Sequence, residues 1–252
     1  MIRSLHIGTS GWSYKDWKGL YYPEDLKPTE YLGYFSREFR CVEINTSFYH
    51  LPKPETVLKW ADTVPRGFRF CPKLSRYISH YQKLNDPEEA LERFFSVFDP
   101  VKKMLGPVLV QLPANAPFKK EVDENFFSVL RKKYRDYVFA LEIRHESWLE
   151  AQSVELLQQY GISLVIAQSA MPFPHHELVT AKDIYLRFHG PGKLYASKYH
   201  PQTMKGWARK CARWLREKHR VWVFFNNDFY GYAIDNARML EKYIEAEMET
   251  DK

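Results

Sequence analysis

Phe139-Ala140-Leu141-Glu142-Ile143-Arg144 decides how this chain is expected to fold. Phe139, Leu141 and Ile143 share one parity and are apolar, whereas Ala140, Glu142 and Arg144 share the other. In a strand, alternate side chains point to opposite faces, so one face is greasy and the other becomes charged toward the C-terminal end. Ile184-Tyr185-Leu186-Arg187-Phe188-His189 repeats the pattern, and Val42-Glu43-Ile44-Asn45 carries a shorter version. Buried charges cost several kcal/mol each unless paired or solvated, so charges on strands this apolar need partners or a ligand.

Working outward, runs rich in β-branched and aromatic residues recur at 5–8, 41–44, 68–71, 108–112, 138–143, 163–167, 184–188 and 221–225, eight expected strands. Most of the intervals carry helix signals, the pattern of parallel strands joined by crossover helices. Asp86-Pro87-Glu88-Glu89 reads as a helix start, with Asp86 as the cap, proline in the first turn and Glu89 closing the box. Gly161 suits the left-handed position that ends a helix over 153–160. The interval 169–183 holds Pro172 and Pro174, which makes the sixth crossover a loop. Eight βα units in 252 residues predict an α/β fold, a single TIM-type (β/α)8 barrel spanning residues 1–252, with a doubly wound open sheet as the other option.

Composition narrows the class further. Hydrophobic residues make up 45% of the chain and aromatics 16%, enough for a sizeable core and too many for a disordered chain. Cys41, Cys71 and Cys211 lie far apart without a CxxC pair, which suits reduced thiols and a cytoplasmic location. No apolar run approaches the roughly 20 residues of a membrane helix, so no membrane association is expected. The formal charge of +6 is spread along the chain and leans only weakly toward an anionic partner.

In a barrel the C-terminal strand ends carry the chemistry. There the sequence places Glu43, Glu142 and Asp228 against Lys73, Arg144 and Arg187, with His189, Asn45 and Asn226 beside them. Guanidinium and ammonium groups suit a phosphate or carboxylate, and Glu142, Glu43 or His189 is placed to move a proton. Trp12, Tyr49, Trp148 and Tyr195 follow strand ends and offer rings for a base or a sugar face. The expected activity is that of a hydrolase, lyase or isomerase working by acid and base catalysis on a small anionic sugar or nucleotide. A structural ion-pair lattice is the alternative account of these charges. A metal-dependent, nuclease-like barrel is less favoured, because no HxH or HExxH spacing occurs and Lys and Arg oppose a divalent cation. Nucleic-acid binding is another option, drawn from Arg131-Lys132-Lys133, Arg209-Lys210, Arg213 and Arg216, although the helix bearing the last four has an ordinary solvated face. The oligomeric state is not legible.

Several of these segments together resemble the YecE-like family, domain of unknown function 72. Ile7-Gly8-Thr9-Ser10-Gly11-Trp12-Ser13-Tyr14, Val42-Glu43-Ile44-Asn45-Thr46-Ser47-Phe48-Tyr49, Gln111-Leu112-Pro113, Glu142-Ile143-Arg144-His145, Arg187-Phe188-His189-Gly190 and Phe225-Asn226-Asn227-Asp228 carry the likeness in order along the chain. The resemblance implies a TIM-type barrel and brings no reaction with it. It also implies an Asp at the end of strand six, where this chain has Gln168, so a role for that Asp does not transfer.

Overall fold

Parallel strand pairs and intervening helices build the protein, and the computed structural model describes residues 2–249. In chain order the strands are β1 (Leu5–Thr9), β2 (Cys41–Ile44), β3 (Arg69–Pro72), β4 (Val108–Gln111), β5 (Phe139–Glu142), β6 (Ser163–Leu164), β7 (Ile166–Gln168), β8 (Asp183–Phe188) and β9 (Arg220–Phe225). The helices are α1 (Tyr31–Phe35), α2 (Thr46–Tyr49), α3 (Pro54–Thr63), α4 (Glu88–Phe98), α5 (Lys120–Lys133), α6 (Ala151–Gln159), α7 (Pro201–Arg216) and α8 (Tyr232–Glu249). Each expected strand forms within a residue or two of its expected limits, except that the sixth is interrupted at Val165 and becomes β6 and β7. The interval 169–182 contains no helix, as its prolines dictate.

The hydrogen-bonded order differs from the single closed ring expected. The strands form a six-stranded sheet, β3-β2-β1-β9-β8-β7, and a three-stranded sheet, β4-β5-β6. The chain is therefore α/β with mostly parallel sheets, and closure is not part of what the sheet order displays.

Two compact units are present. The first comprises the chain up to Val42, Ala167–Pro172 and the chain from Lys182 onward. In it β1, β8 and β9 run parallel with Gly8 opposite Phe224 and Arg187 opposite Phe224. Strands buried on both faces need apolar cover, which α7 and α8 supply. Trp207, Cys211, Trp214 and Leu215 of α7 are buried as the spacing predicts, leaving its basic residues outside. Asp183 anchors the lower edge, accepting from Arg220 at 2.6 Å and from the Trp222 indole at 2.8 Å.

The second unit comprises Glu43–Ile166 and Phe173–Ala181. β4 and β5 pair with Gln111 opposite Glu142, and isolated bridges Phe70–Leu105 and Lys73–Leu109 tie β3 to β4. Phe94, Phe95 and Phe98 of α4 and Phe126 and Phe127 of α5 are buried, the apolar face the helical spacing calls for. The start of α4 corrects the expected capping box. Asp86 adopts a left-handed φ of 41°, Pro87 occupies the cap position, and no side chain bonds the helix start. The chain enters from a π-helical turn over Tyr77–Tyr81, which displaces Asp86 from the extended geometry a cap requires.

All three cysteines are buried and none forms a disulfide among the described residues. Among the described residues no helix is long and apolar enough to cross a membrane.

Candidate functional site

In the second unit the ends of β2 to β5 carry the charges the sequence placed there. Glu43 and Glu142 are each 0% exposed. Arg144, on the same parity as Glu142, sets its Nη2 2.5 Å from the Glu142 Oε1 and lays its guanidinium 3.6 Å from the centre of the Phe173 ring. Lys73, 8% exposed, donates from Nζ to Gln111 Oε1 at 2.6 Å and stands 4.1 Å above the Phe48 ring. The Ser47 hydroxyl bonds the carbonyls of Ile44 at 2.9 Å and Lys73 at 2.7 Å, fixing the backbone that presents the lysine. Asn45 is half-buried at the start of α2.

His80 joins this group without having been singled out in the sequence. Its ring lies 5.0 Å from that of Phe48, and Nδ1 is 3.0 Å from the Ser79 hydroxyl. Burial, then the positive charges of Lys73, Arg144 and Arg76, push the imidazole down from 6.5 to about 4. The ring is therefore neutral at pH 7. Between pH 4 and 6.5 the unfolded chain binds a proton that the folded one does not, so stability rises with pH across that window and levels off above it. Unfolding in urea from pH 4 to 7 should show that rise, and His80→Gln should reduce its slope without removing it, because burial likewise pushes His176 down to about 4; a folded-state NMR titration of the His80 ring near 6.5 would contradict the assignment.

Two aromatic expectations separate here. Trp148 is a packing residue: it is 1% exposed, its indole donates to the Ala116 carbonyl at 3.0 Å, and Phe118 and Phe127 border the ring. Its bulk is more useful to the core than to a ligand. Tyr49 is the reverse, 59% exposed at the end of α2.

In the first unit, Arg187 and His189 are each 1% exposed at and just past the end of β8. The ladder continues beyond the strands, with Ser10 N–H donating to Phe225 O at 2.9 Å, Asn226 N–H to Phe188 O at 2.8 Å and His189 N–H to Gln168 O at 2.8 Å. Asn226 Nδ2 is 3.1 Å from His189 Nδ1. An amide nitrogen only donates, so this contact needs an Nδ1 that accepts. Gln168 contributes its carbonyl, which also accepts from the Tyr199 hydroxyl at 3.2 Å. Tyr195, 39% exposed, holds φ 62° and places its ring 6.1 Å from His189. Asp228 is half-buried and its carbonyl accepts from the Trp17 indole at 2.8 Å; half-buried Trp12 accepts from the Tyr22 hydroxyl at 2.5 Å through its own carbonyl. In the turn after Gly190, the Gly192 and Lys193 N–H groups are already engaged, both donating to the Ser197 hydroxyl at 3.0 Å.

Chemically, the second unit holds two buried carboxylates with a guanidinium and an ammonium, and the first holds a buried imidazole and a buried guanidinium. Among the described residues no group of three or more His, Cys, Asp or Glu is assembled to hold a metal ion.

A family model described as a protein of unknown function, DUF72, matches residues 6–252. This chain belongs to the DUF72 family. The DUF72 chain is 28% identical over 235 residues to the UPF0759 protein YecE of Escherichia coli K12, covering 83% of this chain and 82% of that one. It is 24% identical to the UPF0759 protein YunF of Bacillus subtilis strain 168, covering 96% and 95%. A crystal structure of a DUF72 family protein from Thermotoga maritima superimposes with a TM-score of 0.85 at 30% identity, covering 96% of this chain and 99% of that one. One from Enterococcus faecalis V583 does so with a TM-score of 0.80 at 24% identity, covering 96% and 95%, a likeness of fold. The α/β architecture is thus a family property, and the matches bring no substrate with them.

Proposed function

We propose that this DUF72 protein is an enzyme acting by general acid and base catalysis on a small anionic ligand, a phosphate- or carboxylate-bearing sugar or nucleotide, bound at C-terminal strand ends. In this reading the whole chain is one TIM-type (β/α)8 domain. Lys73 and Arg144 hold the anion, Asn45 bonds it, and Glu142 or Glu43 moves the proton. Arg187, His189, Asn226, Asp228, Trp12 and Tyr195 are proposed as ligand-binding groups of the first unit, with His189 also passing a proton. The observation that carries the reading is the burial of Glu43, Glu142, Lys73 and Arg144 at the ends of β2 to β5, where charge is costly to keep.

Nucleic-acid binding draws less support. On α7, Lys210 sits 4.4 Å over Trp207, Arg213 lies 3.9 Å from Glu217, and Arg216 donates to the Glu247 carbonyl at 2.7 Å, as on an ordinary solvated face.

Titration calorimetry with ribose 5-phosphate, glucose 6-phosphate and inorganic phosphate tests the proposal. At least one should bind, and Lys73→Met, which keeps the side chain's length, should weaken it about tenfold or more. No binding, or equal binding by a folded Lys73→Met protein, overturns the reading.

A further inference from the structure

The connection from β3 to α4 is strained in a way its own sequence does not require. A π-helical turn over Tyr77–Tyr81 ends where Gln82 N–H donates to the Tyr77 carbonyl at 2.9 Å. Three non-glycine residues with left-handed backbone follow, Lys83 at φ 47°, Leu84 at 68° and Asp86 at 41°. This is not slack chain. Leu84 is buried and its N–H donates to Ile78 O at 3.0 Å, Lys83 Nζ donates to the Asn115 carbonyl at 3.1 Å, and the Asn85 amide bonds the carbonyls of Gln82 and Lys83. Isolated π turns and strained backbone held this firmly concentrate at ligand sites.

What the strain achieves is a cavity. Lifting Asp86 off the start of α4 leaves a hollow of about 560 Å³ over Ile78 and Phe94, with His50, Gln82, Asp86, Glu89 and Arg93 around it. That volume suits a small molecule. Among the described residues none of those five polar side chains has a hydrogen-bond or ion-pair partner, and the Gln82 Oε1 is buried without one. Tyr49 and Tyr77, 59% and 53% exposed, stand at its wall, and Arg76 packs 5.6 Å from the centre of Tyr49 and 5.7 Å from that of the exposed Tyr81.

The chemistry of this wall selects its guest. Asp86 and Glu89 are offset by Arg93 and the neighbouring Arg76, so the formal charges around the cavity sum to zero and favour neither a phosphate nor a carboxylate guest. Two carboxylates and an amide oxygen are acceptors seeking hydroxyl donors, and Arg93 supplies donors for the oxygens in return. Arg76 beside the tyrosines disfavours an ammonium, while a tyrosine face suits the apolar C–H side of a sugar ring. We propose that the cavity between α2, the π turn and α4 binds an uncharged carbohydrate, with Asp86 and Glu89 accepting from its hydroxyls and Tyr77 and Tyr49 covering its C–H face. The site is separate from the Lys73 and Arg144 cluster and does not depend on the anionic reading.

Saturation-transfer NMR and titration calorimetry with glucose, N-acetylglucosamine, maltose and cellobiose test it on the whole protein. At least one should bind at millimolar dissociation constant or tighter. Asp86→Asn, which tolerates the left-handed backbone, and Tyr77→Ala should each weaken it about tenfold or more, while Tyr77→Phe and Lys73→Met should bind as the parent does. Failure of all four sugars to bind overturns the proposal, as does binding that both Asp86→Asn and Tyr77→Ala leave unchanged. Perturbation of the tyrosine signals by spermidine or oligothymidylate with no sugar effect would also overturn it, reassigning the cavity to a cation or a nucleic acid.

Discussion

Replacing Arg144 by Met is expected to cost about 3 kcal/mol or more of folding stability, far beyond the loss of an ordinary surface arginine. The reason lies in what stays behind. Glu142 is fully buried, and its Oε1 would lose a guanidinium 2.5 Å away. Removing one member of a buried pair withdraws a large share of the attraction that offset the desolvation of the other, whereas removing both deletes the two costs together. The Glu142→Gln/Arg144→Met double variant should therefore be more stable than Arg144→Met alone. Arg144→Lys should rescue little, because an ammonium lacks both the planar fork and the flat face that rests on Phe173 at 3.6 Å. Urea unfolding midpoints with unchanged denaturant slopes provide the comparison. If Arg144→Met unfolds within about 0.5 kcal/mol of the parent, the pair behaves as a solvated surface contact and its burial has been misjudged.

The alternation in Phe139–Arg144 made that pair visible in advance because both members sit on one strand and its extension. Glu43, Lys73, Arg187 and His189 were visible for the same reason, as polar residues at the ends of runs too apolar to be edges. The partners that complete the site were not. Phe173 reaches Arg144 from the proline-bearing segment after β7, and His80 reaches Phe48 from the π turn, so neither contact leaves a periodic trace. Trp148 and Tyr49 show the limit for aromatics: both follow strand ends, and only tertiary packing decides that one is interior and the other exposed. Asp86-Pro87-Glu88-Glu89 misled because cap chemistry presumes an extended approach to the helix, and a π turn upstream imposes a left-handed one instead. The interruption at Val165 is equally silent, since Ser163 to Ala167 keeps the β-rich composition of one continuous strand.

Gly8→Ala should abolish accumulation of folded protein or cost more than about 4 kcal/mol, although alanine is smaller than any other side chain that could be introduced. Gly8 lies opposite Cys41 where β1 and β2 pair. A β-carbon built there would sit 2.0 Å from the Cys41 carbonyl oxygen and 2.9 Å from its carbon. These are backbone atoms held in a parallel ladder, so relief requires spreading the strands and breaking the pairing, not turning a rotamer. The signature Ile7-Gly8-Thr9 thus carries a glycine for close backbone approach, independently of any turn. Two controls isolate this cause. Gly206→Ala, within α7 and with no atom beyond its chain neighbours and its own helix backbone within 4 Å of the added carbon, should stabilise the fold by roughly 0.5–1 kcal/mol through helix propensity. Trimming the neighbouring thiol, in a Gly8→Ala/Cys41→Ala double variant, should restore nothing, because the obstructing atom belongs to the main chain; recovery of soluble, cooperatively unfolding protein in that variant would show that the sulfur 3.2 Å away was the real obstacle.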